Sequence, residues 1–234
     1  MVDSMLKADF HIHTSEDPID THIKYSARQL IDRCSRLGFE VLSITNHHSI
    51  YFNKDIEKYA KDKGILLIAG MEAIVDGKEV LIINPPKGFD KDKIKFSDLK
   101  KIKKESVIIA PHPFYPRKNC LKNDLIKHIK LFDGVEFSHF YYGLFSFNNR
   151  AKKVARKFKK SLIGTSDSHR FMQLNHTYTL LDCEKNVKSV LNAIRSGKTR
   201  VVTKSLPFKV FFKIGIDIIK ALFLMTKQKF YKHG

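Results

Sequence analysis

The chain has 234 residues, 43% apolar, 29% charged and 11% aromatic, a composition that excludes a disordered or fibrous protein. Its net charge of +19, from 43 basic and 24 acidic residues, favours polyanionic partners or anionic surfaces. Three scattered cysteines, Cys34, Cys120 and Cys183, argue against a disulfide framework or a thiolate zinc knuckle, and "MVDSMLKADFHIH" has no apolar run of signal-peptide length, so a cytoplasmic protein is expected.

In chain order the pattern predicts a strand at 8–12, a helix at 26–37, a strand at 40–45 and a helix at 53–63. Strands at 65–69 and 79–84 follow with only the turn "VDGK" between them, which suits a local hairpin. Next come a helix at 96–104, a strand at 107–110, a helix at 121–131, a strand at 134–137, a helix at 146–159 and a strand at 161–165. A helix at 186–196 and a strand at 199–203 complete the series. The strands are short, β-branched and almost continuously apolar, as strands buried on both faces are. Their alternation with helices predicts parallel βα units closing into an irregular barrel. Residues 1–204 read as that barrel, and 205–234 as a basic amphipathic helical tail whose apolar run is broken by Lys209, Lys213, Asp217 and Lys220. The tail is expected to pack on the barrel, with peripheral membrane contact as the alternative. The segment "RAKKVARKFKK", 150–160, has seven basic residues in eleven and no acidic one, and reads as a solvated helix face.

Position carries most of the functional signal. The residues that follow the strands are His11 and His13, Asn46-His47-His48, Glu72, His112, Glu136 and His139, and Asp167 and His169. In a parallel α/β barrel these strand ends share one mouth, where active sites sit. His11 and His13 are spaced i, i+2 and face the same side of a strand, and Asp9 shares their parity. Asp167 and His169 repeat that spacing. Adjacent His47 and His48 point to opposite sides, so one of them at most faces the site. Imidazoles with carboxylates suit Zn, Mn or Fe, and a carboxylate such as Glu72 or Asp167 can bridge two ions, the usual arrangement for phosphoester hydrolysis.

The motifs "DFHIHT", "ITNHH", "GMEAIVDG", "APHP", "GVEFSH" and "GTSDSH" resemble, in order, those of the PHP (polymerase and histidinol phosphatase) family, over residues 9–169. The resemblance implies a distorted (β/α)7 TIM-like barrel, two or three divalent metal ions and phosphoesterase activity. By position it implies His11, His13 and Asp167 as ligands of one metal, Glu72 as the bridge, His112 on a second metal, and His47 and His169 on a third. One more ligand of the third metal is expected among Asp17, Asp20 and His22, with Asp17 preferred. Two positions depart from the family pattern. Asn46 and His48 flank His47 where relatives usually carry Asp and then Asp or Asn, and Glu79 stands where many relatives have a His ligand. Glu79 either binds as an oxygen ligand or turns away.

The leading expectation is metal-dependent hydrolysis of a phosphate ester, on a phosphorylated small molecule or nucleotide. Asp167, His139 and Arg117 are the candidate catalytic residues: Asp167 on the metals, His139 protonating the leaving group or resting at the rim, and Arg117, like Arg170, clamping phosphate. The alternative is a basic nucleic-acid-associated module with little catalysis, or a nuclease.

Overall fold

The computed structural model describes residues 5–90, 92–143 and 146–216. Nine strands form one sheet: β1 (Leu6–Ile12), β2 (Val41–Ile44), β3 (Leu66–Val75), β4 (Lys78–Ile83), β5 (Val107–Ala110), β6 (Gly134–Ser138), β7 (Ser161–Thr165), β8 (Thr177–Leu181) and β9 (Thr199–Thr203). Six helices connect them: α1 (Ala27–Arg36), α2 (Lys54–Asp62), α3 (Phe96–Ile102), α4 (Asn123–Lys127), α5 (Asn148–Lys157) and α6 (Val187–Ser196). The strand order is β7-β6-β5-β4-β3-β2-β1-β8-β9.

β1, β2 and β3 are parallel, and so are β5, β6 and β7. β4 runs antiparallel between β3 and β5, as the short turn implied, with Asp76 and Gly77 both at positive φ. β8 is antiparallel to β1 and β9. Seven of the nine described strands therefore point one way, which makes this a distorted (β/α)7 barrel. The strand β8, "TYTLL", was not expected; its buried residues alternate with half-buried ones, a weaker apolar signal than that of its neighbours.

The sheet curls until its two ends meet. The Thr179 hydroxyl donates to Gly164 O (2.9 Å) and the Thr199 hydroxyl to Leu162 O (3.3 Å). Gly164 permits this approach, because a Cβ there would lie 2.7 Å from Tyr178 O and 2.8 Å from Val201 Cγ1. Beyond β7, His13 N donates to Ser168 O (3.1 Å), joining the segment after β7 to the end of β1.

Phe10, Val41, Ile68, Leu81, Ile109 and Ile163 pack into one buried cluster. Fully burying each such side chain stabilises the fold by roughly 1.5–3 kcal/mol. Two further clusters lie between sheet and helices, one built on Leu30, Ile31, Leu42 and Ile44, the other on Ile82, Leu99, Ile108 and Val135. Helix starts are sealed by their own side chains: Ser26 and Gln29 form a capping box on α1, and Asn53 and Asn186 cap α2 and α6.

The regular alternation assumed for β1 does not hold. Its register shifts between Asp9 and Ile12, so Ala8 and Phe10 share one core cluster while Ile12, of the same parity, joins another with Leu30 and Ile44. Asp9 is occupied by backbone amides: its Oδ1 accepts from His11 N (3.3 Å), and both its oxygens accept from Ser166 N (3.2 Å each). Of the tail, residues 208–216 are helical, with Leu206 buried and Phe211 stacked on Phe140 (centroids 4.7 Å). Residues 217–234 of that tail lie outside the described residues.

Candidate metal centre

The site is organised around the carboxylate of Glu72, 2% exposed on β3. Its Oε2 lies 3.3 Å from His11 Nε2, 3.4 Å from His13 Nε2 and 3.2 Å from His47 Nε2. Its Oε1 faces His112 Nε2 at 3.5 Å. Asp167 Oδ1 reaches His11 Nε2 (3.3 Å), His13 Nε2 (3.5 Å) and His169 Nδ1 (3.7 Å). Four imidazoles thus turn one nitrogen toward a single carboxylate, and a second carboxylate shares two of them.

The outward nitrogens have their own partners. His11 Nδ1 meets Glu136 Oε1 (3.2 Å), while Asp17 Oδ2 serves His13 Nδ1 (3.0 Å) and His47 Nδ1 (2.9 Å). Carboxylates on Nδ1 fix the tautomer that leaves the Nε2 lone pair facing inward. Asp17 is fully engaged: its Oδ2 also accepts from His47 N (2.8 Å), and its Oδ1 accepts from Ile19 N (2.9 Å) and Asp20 N (3.0 Å). Asp20 sits on the open side, 2.6 Å from His169 Nε2 and 3.9 Å from His47 Nδ1. His22 stacks near His169 with centroids 6.2 Å apart.

"ITNHH" divides its work. His47 brings its ring into the cluster, and a bridge pairs it with Glu72. His48 donates its amide to Glu72 O (2.9 Å) from a φ of 51°. Asn46 receives Thr14 N on Oδ1 (2.9 Å) and gives Nδ2 to the Thr14 hydroxyl (3.0 Å), tying the end of β2 to the end of β1. Two other site residues, His112 at φ 23° and Asp167 at φ 42°, also adopt left-handed backbone, which costs roughly 1–2 kcal/mol per residue. His112 is held there by Glu136, whose Oε2 accepts its amide. Such strain gathers where side chains must be aimed.

Two residues were under-read in the sequence. Glu136 falls at a strand end but received no role; it is fully buried, and with His11 and His112 it forms one group of close donor atoms. The scattered spacing of the three cysteines suggests no metal role for Cys120, yet its Sγ lies 3.4 Å from His112 Nδ1, in a group with Glu79. Glu79 does turn inward, its Oε2 3.7 Å from His112 Nδ1 and its Oε1 accepting from Arg117 (3.0 Å) and Asn119.

The electrostatics follow from burial and opposition. Burial pulls the His11 imidazolium down, but Asp167, Glu72 and Glu136 more than offset it, and its pKa stands well above the ordinary value. His112 is likewise raised despite burial, through Cys120 and Glu72. Glu72 and Asp167 are held well below the carboxylate range, because His11 and its neighbours outweigh their burial. Burial raises Asp9 to about 7 and lowers His139 to about 4. Three buried atoms in this cluster, His13 Nε2, Glu72 Oε1 and Glu79 Oε2, have no hydrogen-bond partner. Bare inward donors of this kind fit divalent metal ions.

A family model described as PHP-associated matches residues 145–199, from the approach to α5 through the start of β9. The uncharacterized protein MJ1587 of Methanocaldococcus jannaschii is 31% identical over 149 residues, spanning 58% of this chain and 84% of that protein. The chain belongs to the PHP family. Two solved structures share the fold of this PHP chain. PsfC from Pseudomonas syringae superposes with a TM-score of 0.64 at 15% identity, over 94% of this chain and 99% of that one. A candidate metal-dependent phosphoesterase from Bifidobacterium adolescentis superposes with a TM-score of 0.52 at 13% identity, over 70% of this chain and 87% of that one. In this PHP barrel the imidazoles and carboxylates come from the ends of β1, β2, β5, β6 and β7, with Glu72 from the middle of β3 and Glu79 from the start of β4.

Proposed function

We propose that this chain hydrolyses phosphate esters in a metal-dependent reaction at the mouth of its barrel. The observation that carries the reading is the Glu72 carboxylate ringed by four histidines, with bare buried donors left among them. His11, His13 and Asp167 would hold one ion beside Glu72, and His112, through Nδ1, would hold another with Glu79. His47 and His169 would hold a third with Asp20, since both oxygens of Asp17 are taken up in orienting His13 and His47. When bound, divalent ions such as Zn, Mn or Fe supply Lewis acidity toward phosphoryl oxygens and acidify the attacking water.

The chain's own groups supply the rest. Arg117, half-exposed and paired with Glu79, presents a guanidinium at the rim that suits two phosphoryl oxygens. His139 is neutral at physiological pH, as its lowered pKa of about 4 dictates. Its Nε2 lies 3.1 Å from the Gln173 amide nitrogen and accepts from it, so the proton sits on Nδ1, a buried atom with no partner. His139 is therefore read as a hydrogen-bond donor to a phosphoryl or leaving oxygen, not as an imidazolium acid.

The basic face of α5 favours a polyanionic substrate: Ala151, Val154 and Ala155 are buried, while Arg150, Lys152, Lys153, Arg156 and Lys157 are exposed. A nucleotide or a nucleic-acid strand fits that surface, and the barrel of 1–204 with an appended 205–234 tail is the unit that would act on it. No described helix is long and apolar enough to cross a membrane. The test is turnover of a panel of phosphomonoesters, phosphodiesters and single-stranded oligonucleotides by the chain loaded with Zn, Mn or Fe. Hydrolysis that ceases on chelation supports the proposal. A fully loaded chain inert toward every class refutes it.

A further inference from the structure

We propose that the buried donor cluster beside His112 is a mixed thiolate site for a zinc-like cation, with Cys120 Sγ, Glu79 Oε2 and His112 Nδ1 as its protein donors. The inference rests on reading the barrel mouth as a metal centre, and adds a kind of ligand that reading does not contain.

Cys120 reaches the site because the loop after β5 folds back on itself. Lys122 N donates to Pro113 O (2.8 Å), and Glu79 N donates to Asn119 O (2.9 Å), stitching the loop to the first residues of β4. Cys120 is fully buried, with Sγ 3.4 Å from His112 Nδ1. That distance alone also suits an S–H donating to the ring. Glu79 decides between the two readings. Asn119 and Arg117 pin its Oε1, whereas its Oε2 is buried without a hydrogen-bond partner, 3.7 Å from the same ring nitrogen. Whichever of the thiol and the ring carries the shared proton, Glu79 Oε2 stays bare, because at 3.7 Å the ring nitrogen is beyond hydrogen-bond reach. A cation satisfies all three atoms together.

The distances agree with that. Tetrahedral zinc with the usual bond lengths separates its sulfur and nitrogen ligands by about 3.5 Å, and its nitrogen and oxygen ligands by about 3.4 Å. The corresponding separations here are 3.4 Å and 3.7 Å. Binding would deprotonate the thiol and displace the Nδ1 proton of the His112 imidazolium, releasing both. The ring proton would then lie on Nε2, 3.5 Å from Glu72 Oε1, the neighbouring buried oxygen that also lacks a donor. One sulfur, one nitrogen and one oxygen donor select Zn(II), Fe(II) or Co(II) over Mg(II) and Mn(II). Three protein donors leave a fourth position open, as catalytic zinc sites do and structural ones do not.

The experiment is titration of the metal-depleted full chain with Co(II), read by near-ultraviolet absorption and by bound metal per chain. A thiolate-to-cobalt charge-transfer band is expected in the parent, in Cys34→Ser and in Cys183→Ser. Cys120→Ser should lose the band and bind one ion fewer. A serine hydroxyl can still hydrogen-bond with His112 Nδ1, so a merely orienting cysteine would leave the metal count unchanged. Glu79→Gln should also bind one ion fewer. Cobalt bound without the band in the parent, or a band that survives Cys120→Ser, overturns the site while leaving the metal centre standing. No cobalt bound at all overturns both. X-ray absorption of the zinc-loaded parent requires no variant: a sulfur scatterer near 2.3 Å supports the site, and nitrogen and oxygen scatterers alone refute it.

Discussion

Asp17→Asn separates an orienting carboxylate from a ligand. Asp17 accepts five hydrogen bonds, from the amides of Ile19, Asp20 and His47 and from the rings of His13 and His47. Asparagine keeps one acceptor oxygen and turns an NH2 toward whichever donors remain. The milder orientation faces that NH2 to the part-buried amides of Ile19 and Asp20. Two donors then lose their acceptor, at about 1 kcal/mol each toward the low end of the range, or about 2 kcal/mol together. For a chain of this length that lowers the melting temperature of the metal-free protein by roughly 4–8 °C. His13 and His47 keep an acceptor but lose its charge, which should weaken metal binding by roughly 10–100-fold. Asp20→Asn is the contrast: Asp20 faces His169 at the open side, so its loss should weaken metal binding with little change in the metal-free melting temperature. The assays are thermal unfolding of the metal-free variants and competition titration with a zinc indicator. If Asp17→Asn melts within 2 °C of the parent and binds metal equally well, the anchoring role is wrong.

His47→Ala should lose a metal ion and most activity, while His48→Ala should change activity modestly; elemental analysis beside turnover checks both, and the reverse pattern would refute the assignment. Because His11 and His112 hold protons above the usual imidazole range, metal uptake at neutral pH must displace them, and affinity should fall as pH falls. Titration in two buffers of different ionisation enthalpy measures the released protons, and zero release would contradict the raised values. In the metal-free chain those histidines contribute stability that is lost as pH rises through their raised pKa, while Glu72 and Asp167 contribute stability lost as pH falls through their depressed ones. Phe208 and Phe212, stacked and each 58% exposed beside Lys209 and Lys213, should give the tail affinity for anionic vesicles. Equal sedimentation of the full chain and a chain lacking 206–234 would exclude that.

The barrel was legible because its strands are nearly uniform apolar runs and its polar residues gather at their ends. β4 was legible as a hairpin from a four-residue turn. β8 was not, since a strand that closes a seam against β1 and β9 has half-buried positions and no continuous apolar run. Among the site residues, His11, His13, His47, His112, Asp167 and His169 do converge, as strand-end position implies, and Glu72 joins them from within β3. Asp9 was misjudged because parity does not show which backbone amides a carboxylate will meet, and the register shift in β1 is invisible in composition. Glu136 was under-read because a carboxylate at a strand end carries no mark of which neighbours it will meet. Cys120 was missed because its approach depends on how one loop folds back, a long-range event that spacing along the chain does not encode.

The seam gives the site a second meaning. Among the described residues no continuous ladder joins β7 to β1; that edge rests on the Ile12–Ser168 bridge, the His13 N–Ser168 O bond and the Asp9–Ser166 contacts, while at Gly164 β7 approaches β8 and β9. His11 and His13 stand on one side of this gap, and Asp167 and His169 on the other. An ion gripped from both sides would act as a clasp on the cylinder, so that loading the centre and shutting the barrel become one event. Chelation should then speed amide hydrogen exchange first in β7 and the 166–169 segment, while β3 and β4 stay protected. A uniform acceleration over all strands would show that closure does not depend on the clasp.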